Sequence, residues 1–231
     1  EPARHLDVDF ISVAYNPGRS VRVTSILAAA WIRKNTDREV LFTLSTRDMN
    51  RLALQSLLLG AGLLDLENVV VVQGDAFTGK DLEFTRAIHD YTPTEMLRSI
   101  GAMNEGRDFK GLKLRVPTHL CVGATIDLAH GLERETRLSH KKVESGAQFF
   151  LMQPVSGPAK LEEFLDGYET KYGAVEVPIF VGVQVMAADS LFFGEVPASV
   201  KKDLASGLPG HEIAVRAVRE LANAGFRSIY L

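Results

Sequence analysis

A run of four valines in this chain leads directly to a carboxylate. Residues 69–75 read Val-Val-Val-Val-Gln-Gly-Asp, an apolar, β-branched segment that stops at a glycine. Such a segment is typical of a strand that is covered on both faces, as in parallel α/β sheets. Ligands bind at the carboxyl ends of parallel strands, so Asp75 is a candidate site residue. Asp and Gly are also ordinary turn residues, and capping of the following loop is the alternative role for Asp75.

Two more polar residues fall near the carboxyl ends of predicted strands. Gln153 lies near the end of the predicted fifth strand, where its amide can contact a ligand or satisfy backbone groups. Arg47 follows the predicted second strand. Its planar guanidinium can bind a phosphate or a carboxylate of a ligand, and it can equally pair with Asp48 or Glu39.

Strands and helices alternate along the whole chain, which predicts a parallel sheet with right-handed crossovers. An α/β fold is therefore expected, and we interpret it as a single (β/α)8 TIM barrel domain over residues 1–231. Seven strands are predicted, so the first strand and helix and the last helix of that barrel would lie outside these residues. An open seven-stranded sheet is the alternative. The predicted strands are residues 10–15, 40–46, 69–75, 120–124, 149–155, 178–185 and 228–231.

The apolar spacing also predicts which helix faces are buried. In a helix predicted at residues 21–33, Ile26, Leu27, Ala30 and Trp31 share one face. The next helix is predicted to begin at a cap formed by Asp48. That second helix is predicted to bury Leu54, Leu58 and Ala61. A last helix is predicted to bury Ile213, Ala217, Val218 and Leu221 and to end at Gly225. The other predicted helices are residues 95–103, 132–145, 161–172 and 200–204.

The composition is that of an ordinary globular protein, with 46% hydrophobic and 24% charged residues. A formal net charge of -3 argues against a nucleic-acid partner. The apolar runs are too short to span a membrane, and we expect none to do so. Cys121 is the single cysteine, which excludes disulfides within the chain and favours a reducing, cytoplasmic environment. The histidines show no metal-ligand spacing, so no metal is expected.

Five segments together resemble the methylenetetrahydrofolate reductase family, especially the branch found fused to or beside methyltransferases. The segments are residues 10–17 (FISVAYNP), 46–60 (TRDMNRLALQSLLLG), 71–75 (VVQGD), 122–125 (VGAT) and 142–155 (KVESGAQFFLMQPV). The resemblance implies a (β/α)8 barrel that binds FAD. It also implies a cytoplasmic flavoprotein of one-carbon metabolism and methionine biosynthesis, which reduces 5,10-methylenetetrahydrofolate to 5-methyltetrahydrofolate. NAD(P)H or a partner reductase would be the donor, and a homo-oligomer is expected.

The resemblance also implies roles for individual residues. Asp75 would stabilise the cationic iminium that accepts hydride, Gln153 would bind the pterin, and Arg47 would bind folate. Lys142 would meet the FAD phosphates and Glu135 the ribose hydroxyls, although charged helix residues are otherwise usually just solvated. Contacts to the flavin cofactor are further implied for Ala14, Tyr15, Thr43, Gln73, Gly74, Asp75, Tyr91 and Thr125.

Four of these positions differ from the better-known bacterial pattern. Ala14 replaces a threonine, Thr43 a histidine, Gln73 an arginine and Thr125 a tyrosine. These smaller and less basic groups imply that the pyrophosphate is held more by backbone and by Lys142, and that FAD is bound weakly.

The glutamate that protonates the folate amine in the family has no counterpart in these residues. An alternative function is therefore a non-catalytic folate-binding or scaffolding subunit of a one-carbon methyltransferase assembly. A third is a pterin-dependent methyltransferase barrel, which would transfer a methyl group without redox change.

Overall fold

The computed structural model describes residues 7–187 and 196–231. The chain divides into two compact units. The first unit runs to Ala124 and also includes Ser145–Ala147, and the second comprises Thr125–Glu144 and Gln148–Leu231.

The first unit contains four parallel strands that pair in chain order. Phe42 lies opposite Val69, and Val70 lies opposite Gly123. These valines are buried, as expected for a strand that is covered on both faces. The strands are β1 (Phe10–Val13), β2 (Glu39–Ser45), β3 (Asn68–Val72) and β4 (Cys121–Ile126), the last of which continues into the second unit.

The helices of the first unit are α1 (Ser25–Asn35), α2 (Arg51–Leu63), α3 (Asp81–Phe84) and α4 (Pro93–Asn104). As predicted, α2 buries Leu54, Leu58 and Ala61. Its cap is not Asp48, however, because the Asn50 side chain accepts a hydrogen bond from the Ala53 amide at 2.9 Å.

The predicted buried face of α1 is wrong in part. Ser25, Ile26 and Ala29 are buried, whereas Leu27 is 56% exposed and Trp31 61% exposed. The Ser25 hydroxyl donates a hydrogen bond to the Thr43 carbonyl of β2 at 2.7 Å. This bond holds the face of α1 that carries Ser25 and Ala29 against the strand, and the larger residues therefore face outward.

The second unit continues the pattern of parallel strands alternating with helices. Leu151 lies opposite Phe180, and Gly182 lies opposite Tyr230. Its elements are β5 (Phe149–Met152), β6 (Ile179–Gly182), β7 (Ile229–Tyr230), α5 (Leu132–Glu144), α6 (Ala159–Tyr172), α7 (Ala198–Ala205) and α8 (Gly210–Asn223).

The α/β class and the chain-order pairing of parallel strands confirm the corresponding parts of the sequence prediction. Several strands are shorter than predicted: β3 ends at Val72 and β5 at Met152. Asp75 and Gln153 consequently lie beyond their strands, in segments where side chains are free to face a ligand. None of the helices in the described parts of the chain is long and apolar enough to cross a bilayer.

Candidate functional site

The turn that follows β3 brings the chain unusually close to the end of β2. Gly74 has a φ of +85°, and a Cβ at this position would lie 2.5 Å from the Ser45 hydroxyl oxygen and 3.2 Å from the Arg47 Cβ. A glycine is therefore required here for two reasons, the left-handed backbone and the missing space.

Hydrogen bonds fix the backbone on both sides of Gly74. The Ser45 hydroxyl donates to the Gln73 carbonyl at 3.2 Å and accepts from the Arg47 amide at 3.3 Å. Arg47 Nη1 donates to the Asp75 carbonyl at 2.6 Å. The Asp75 main chain is thus tied to β2, while its side chain is exposed.

The buried Arg47 also forms an ion pair with its half-buried neighbour in sequence, Asp48. Its Nε lies 2.5 Å from Asp48 Oδ1, and its Nη2 lies 2.9 Å from Asp48 Oδ2. The hydrogen bond to Asp48 raises the pKa of Arg47. Of the alternatives left open by the sequence, the structure contains the pairing with Asp48, whereas Glu39 pairs with Arg33 at 3.0 Å.

Tyr15 joins this cluster from the end of β1. Burial and the negative charge of the nearby Asp48 raise the pKa of Tyr15. The first unit therefore brings together Tyr15, Arg47 and Asp75 at the carboxyl ends of three consecutive strands. We call Tyr15, Ser45, Arg47, Asp48, Gly74 and Asp75 the carboxyl-end cluster.

The remaining candidates of the first unit differ in accessibility. Ala14 and Gln73 are exposed and Thr43 is half-buried. Tyr91 is buried, its hydroxyl lies 3.0 Å from the Ser99 hydroxyl, and its ring lies 4.8 Å from the Arg51 guanidinium carbon. These contacts give Tyr91 a packing role in the unit, and its role in cofactor binding stays a prediction.

In the second unit, α5 places Glu135 and Lys142 together. Both are buried, with Lys142 Nζ 3.7 Å from Glu135 Oε2 and 2.5 Å from the Thr125 carbonyl oxygen, to which it donates. Glu135 Oε2 also accepts from the Asp127 amide at 3.3 Å. Burial lowers the pKa of Lys142, and the Glu135 charge opposes this shift. The pair is therefore held by the protein's own groups.

The backbone next to Gln153 is fixed by residues that the sequence did not single out. The Gln153 amide donates to the Ile126 carbonyl at 2.7 Å, and the Tyr230 hydroxyl donates to the Met152 carbonyl at 2.8 Å. A Cβ on Gly182 would lie 2.5 Å from that same carbonyl oxygen. A glycine within a predicted strand is the sequence signal that could have revealed this close approach. The Gln153 side chain is half-buried.

Whether these residues fit FAD depends on the pyrophosphate, which needs cations or free N–H groups. Arg47 is 4% exposed and bound to Asp48 and Asp75, and Lys142 is 7% exposed and bound to Thr125. Both cations are thus buried and already donate hydrogen bonds to oxygen atoms of the protein. A pyrophosphate would have to compete with these oxygen atoms for either cation. The described residues also contain no cluster of three or more His, Cys, Asp or Glu that could hold a metal.

Parallel strands with polar side chains beyond their carboxyl ends define an α/β protein of the class that binds ligands at that edge. The chain matches the family model described as methylenetetrahydrofolate reductase over residues 3–200. It therefore belongs to the methylenetetrahydrofolate reductase family, as the sequence resemblance indicated. No significant match was found among curated proteins.

Solved structures are similar to this chain at low sequence identity. An uncharacterized protein from Clostridium thermocellum that binds two copies of 5-methyl-5,6,7,8-tetrahydrofolic acid has a TM-score of 0.64 and 13% identity, with 98% of this chain and 76% of that chain covered. A 2,3-dimethylmalate lyase has a TM-score of 0.48 and 13% identity, with 87% and 66% covered. The carboxyl transferase domain of Rhizobium etli pyruvate carboxylase has a TM-score of 0.46 and 13% identity, with 81% and 28% covered.

Gly74→Ala is expected to destabilise the protein more than Gly79→Ala. Both glycines have positive φ, so each alanine carries backbone strain of about 1–2 kcal/mol. Only at position 74 does the new methyl group also meet Ser45, and displacing that hydroxyl should add roughly 1 kcal/mol. Urea unfolding of the two variants measures the difference. Equal losses would show that Ser45 moves aside freely.

Tyr230 is expected to make stability fall at high pH. Burial raises its pKa to about 12, compared with about 10 in the unfolded chain. Because the folded pKa is the higher one, its contribution is constant below pH ~10 and is lost as the pH rises toward ~12. Tyr230→Phe should remove about 3 kcal/mol of this pH dependence. Unfolding free energies of both proteins across that range test this, and parallel curves would contradict it.

Proposed function

We propose that this chain binds a reduced folate at the carboxyl-end cluster and reduces 5,10-methylenetetrahydrofolate to 5-methyltetrahydrofolate with FAD. The observation that carries the proposal is the exposed Asp75 carboxylate, on a turn whose backbone is fixed by Gly74 and Arg47, in a chain of this family. For the complete fold we propose the (β/α)8 barrel.

The chemistry gives Asp75 a specific role. The methylene carbon of the substrate bridges two amines, and it accepts hydride only after one C–N bond has broken to leave a cationic iminium. The electron pair of that bond goes to the departing nitrogen, which takes up a proton. A fixed carboxylate stabilises the positive charge, and removing a comparable preorganised group elsewhere costs about 10²–10³ in rate. Gln153 would orient the pterin, because its amide offers both donors and an acceptor.

When FAD is bound, it supplies the hydride. The chain would hold its ring through the exposed residues Ala14 and Gln73 and the backbone of Gly74. Contacts from Tyr15, Thr43, Tyr91 and Thr125 to the cofactor are part of the same proposal. Lys142 would hold the phosphates and Glu135 the ribose. NAD(P)H or a partner reductase would restore the reduced flavin, and we place the protein in the cytoplasm as a homo-oligomer.

One observation favours the second candidate function, a folate-binding subunit without redox activity. Both cations that could meet the pyrophosphate are buried and already paired, Arg47 with Asp48 and Lys142 with Glu135. A chain that keeps the folate site and does not recruit FAD would have this arrangement. It could then serve a methyltransferase assembly by delivering or retaining a folate.

Asp75→Asn should slow folate reduction about 10²–10³-fold while flavin stays bound, because the amide keeps the shape and loses the charge. Anaerobic reoxidation of the reduced flavin by methylenetetrahydrofolate measures this step. Glu83→Gln is the matched control, since Glu83 is an exposed acid in the same unit. A rate near that of the parent protein would remove Asp75 from the mechanism.

The cofactor assignment can be tested without turnover. Glu135→Gln combined with Lys142→Met removes the buried pair without leaving one charge alone, which would destabilise the protein by itself. If Lys142 holds the phosphates, FAD affinity should fall at least about tenfold, the equivalent of one charged hydrogen bond, while riboflavin affinity is unchanged. A parent protein that is colourless, does not bind FAD and binds 5-methyltetrahydrofolate would establish the second function instead.

A further inference from the structure

Arg47 directs its hydrogen-bond donors to two neighbours rather than toward solvent. Its Nε and Nη2 bind the two oxygens of Asp48, and its Nη1 binds the Asp75 carbonyl. The guanidinium carbon also lies 4.0 Å from the centre of the Phe77 ring. The side chain is 4% exposed.

These contacts connect the end of β2 to the segment that follows β3. Asp48 fixes the orientation of the planar fork, because two parallel hydrogen bonds allow one geometry. The third arm of the fork then reaches from the end of β2 to the main chain beyond β3. Phe77 covers one face of the guanidinium, so the segment from Asp75 to Phe77 is held at two points.

The same segment is also held on the opposite side of Gly74. Ser45 binds the Gln73 carbonyl, and Gly74 packs against Ser45 and Arg47 without room for a Cβ. The turn is therefore constrained before and after Gly74, and the exposed carboxylate of Asp75 projects from a fixed backbone.

We propose that Arg47 is a positioning residue, which holds the Asp75 carboxylate in the place where the substrate's positive charge develops and does not itself bind the ligand. The part of this inference that concerns catalysis rests on the proposed reductase function. The part that concerns the turn rests only on the contacts of the first unit. This assignment replaces a direct contact between Arg47 and folate.

The chemistry of the arginine explains why a lysine cannot take its place. A lysine ammonium is a point charge on a flexible stem, without the planar fork that binds Asp48 and Asp75 together. Arg47→Lys keeps the positive charge near Asp48 and loses the bridge to Asp75. The substitution therefore measures the effect of losing the bridge while the positive charge is kept.

The experiment combines a catalytic and a structural measurement. In the full chain, Arg47→Lys should lower kcat about tenfold and leave KM nearly unchanged. Since Arg47 acts through Asp75, adding Arg47→Lys to Asp75→Asn should cause no further loss. Arg33→Lys is the control, because Arg33 also pairs with a carboxylate, through Nη1 to both oxygens of Glu39, at the opposite end of β2 from the turn. The positioning role would be overturned if the double variant lost kcat by the product of the two single-variant factors, or if KM rose strongly.

Hydrogen exchange provides a readout that does not depend on activity. The amides of residues 74–77 should exchange about tenfold faster in Arg47→Lys, because local opening becomes easier, and the remaining amides should be unchanged. If the parent protein shows no reductase activity, the proposed function fails while this measurement still decides whether Arg47 holds the turn. Unchanged exchange at residues 74–77 would overturn the inference.

A second variant covers the case in which Arg47→Lys does not fold. Phe77→Leu removes the ring beneath the guanidinium and leaves the ion pair with Asp48 intact. The amides of residues 74–77 should exchange faster than in the parent protein, by a smaller factor than in Arg47→Lys. An exchange pattern identical to that of the parent protein would count against the proposal.

Discussion

The approach of Gly74 to Ser45 is the contact on which the candidate site depends. Because Gly74 has no side chain, the backbone after β3 can come within hydrogen-bonding distance of residues at the end of β2. The Ser45 hydroxyl and the Arg47 guanidinium then donate hydrogen bonds to that backbone instead of to water. A polar edge of two parallel strands thus becomes a rigid support for one exposed carboxylate. A fixed backbone reduces the reorganisation that the attached side chain has to undergo when it meets a charged group.

Two ion pairs account for the buried cations of the described residues. Transfer of a charge from water to the interior is unfavourable, and the Arg47 and Lys142 cations are tolerated because carboxylates and carbonyl groups contact them. An anionic group would have to compete with Asp48 for Arg47, or with Glu135 for Lys142.

The sequence predicted the elements well where one strong periodic signal acts alone. The buried residues of α2, Leu54 and Leu58, follow helical spacing, and all seven strands lie at their predicted places. The prediction failed where polar residues contact the backbone at the start of a helix. Ser25 bonds to β2 from the buried face of α1 while Leu27 is exposed, and Asn50 rather than Asp48 caps α2.

The same limit applies to the site. Asp75 was selected because a predicted strand ends on it, and Lys142 with Glu135 because of the family resemblance; their roles in a site stay predictions. The contact of Tyr230 with the Met152 carbonyl could not be predicted, because it joins residues far apart in sequence. For Gly182 the sequence offered a signal, a glycine within a predicted strand, but did not identify the carbonyl that it approaches. The engagement of Arg47 by both Asp48 and Asp75 also depends on the distance between two strand ends, which no local pattern encodes.

The exposure of Trp31 affects what optical measurements on this protein report. It is the single tryptophan of the chain, and it lies on the outward face of α1. Its emission should therefore be that of an indole in contact with water and should respond to whatever covers that helix. Tyrosine absorbance, through the half-buried Tyr15, is the intrinsic chromophore placed to sense a ligand at the carboxyl-end cluster.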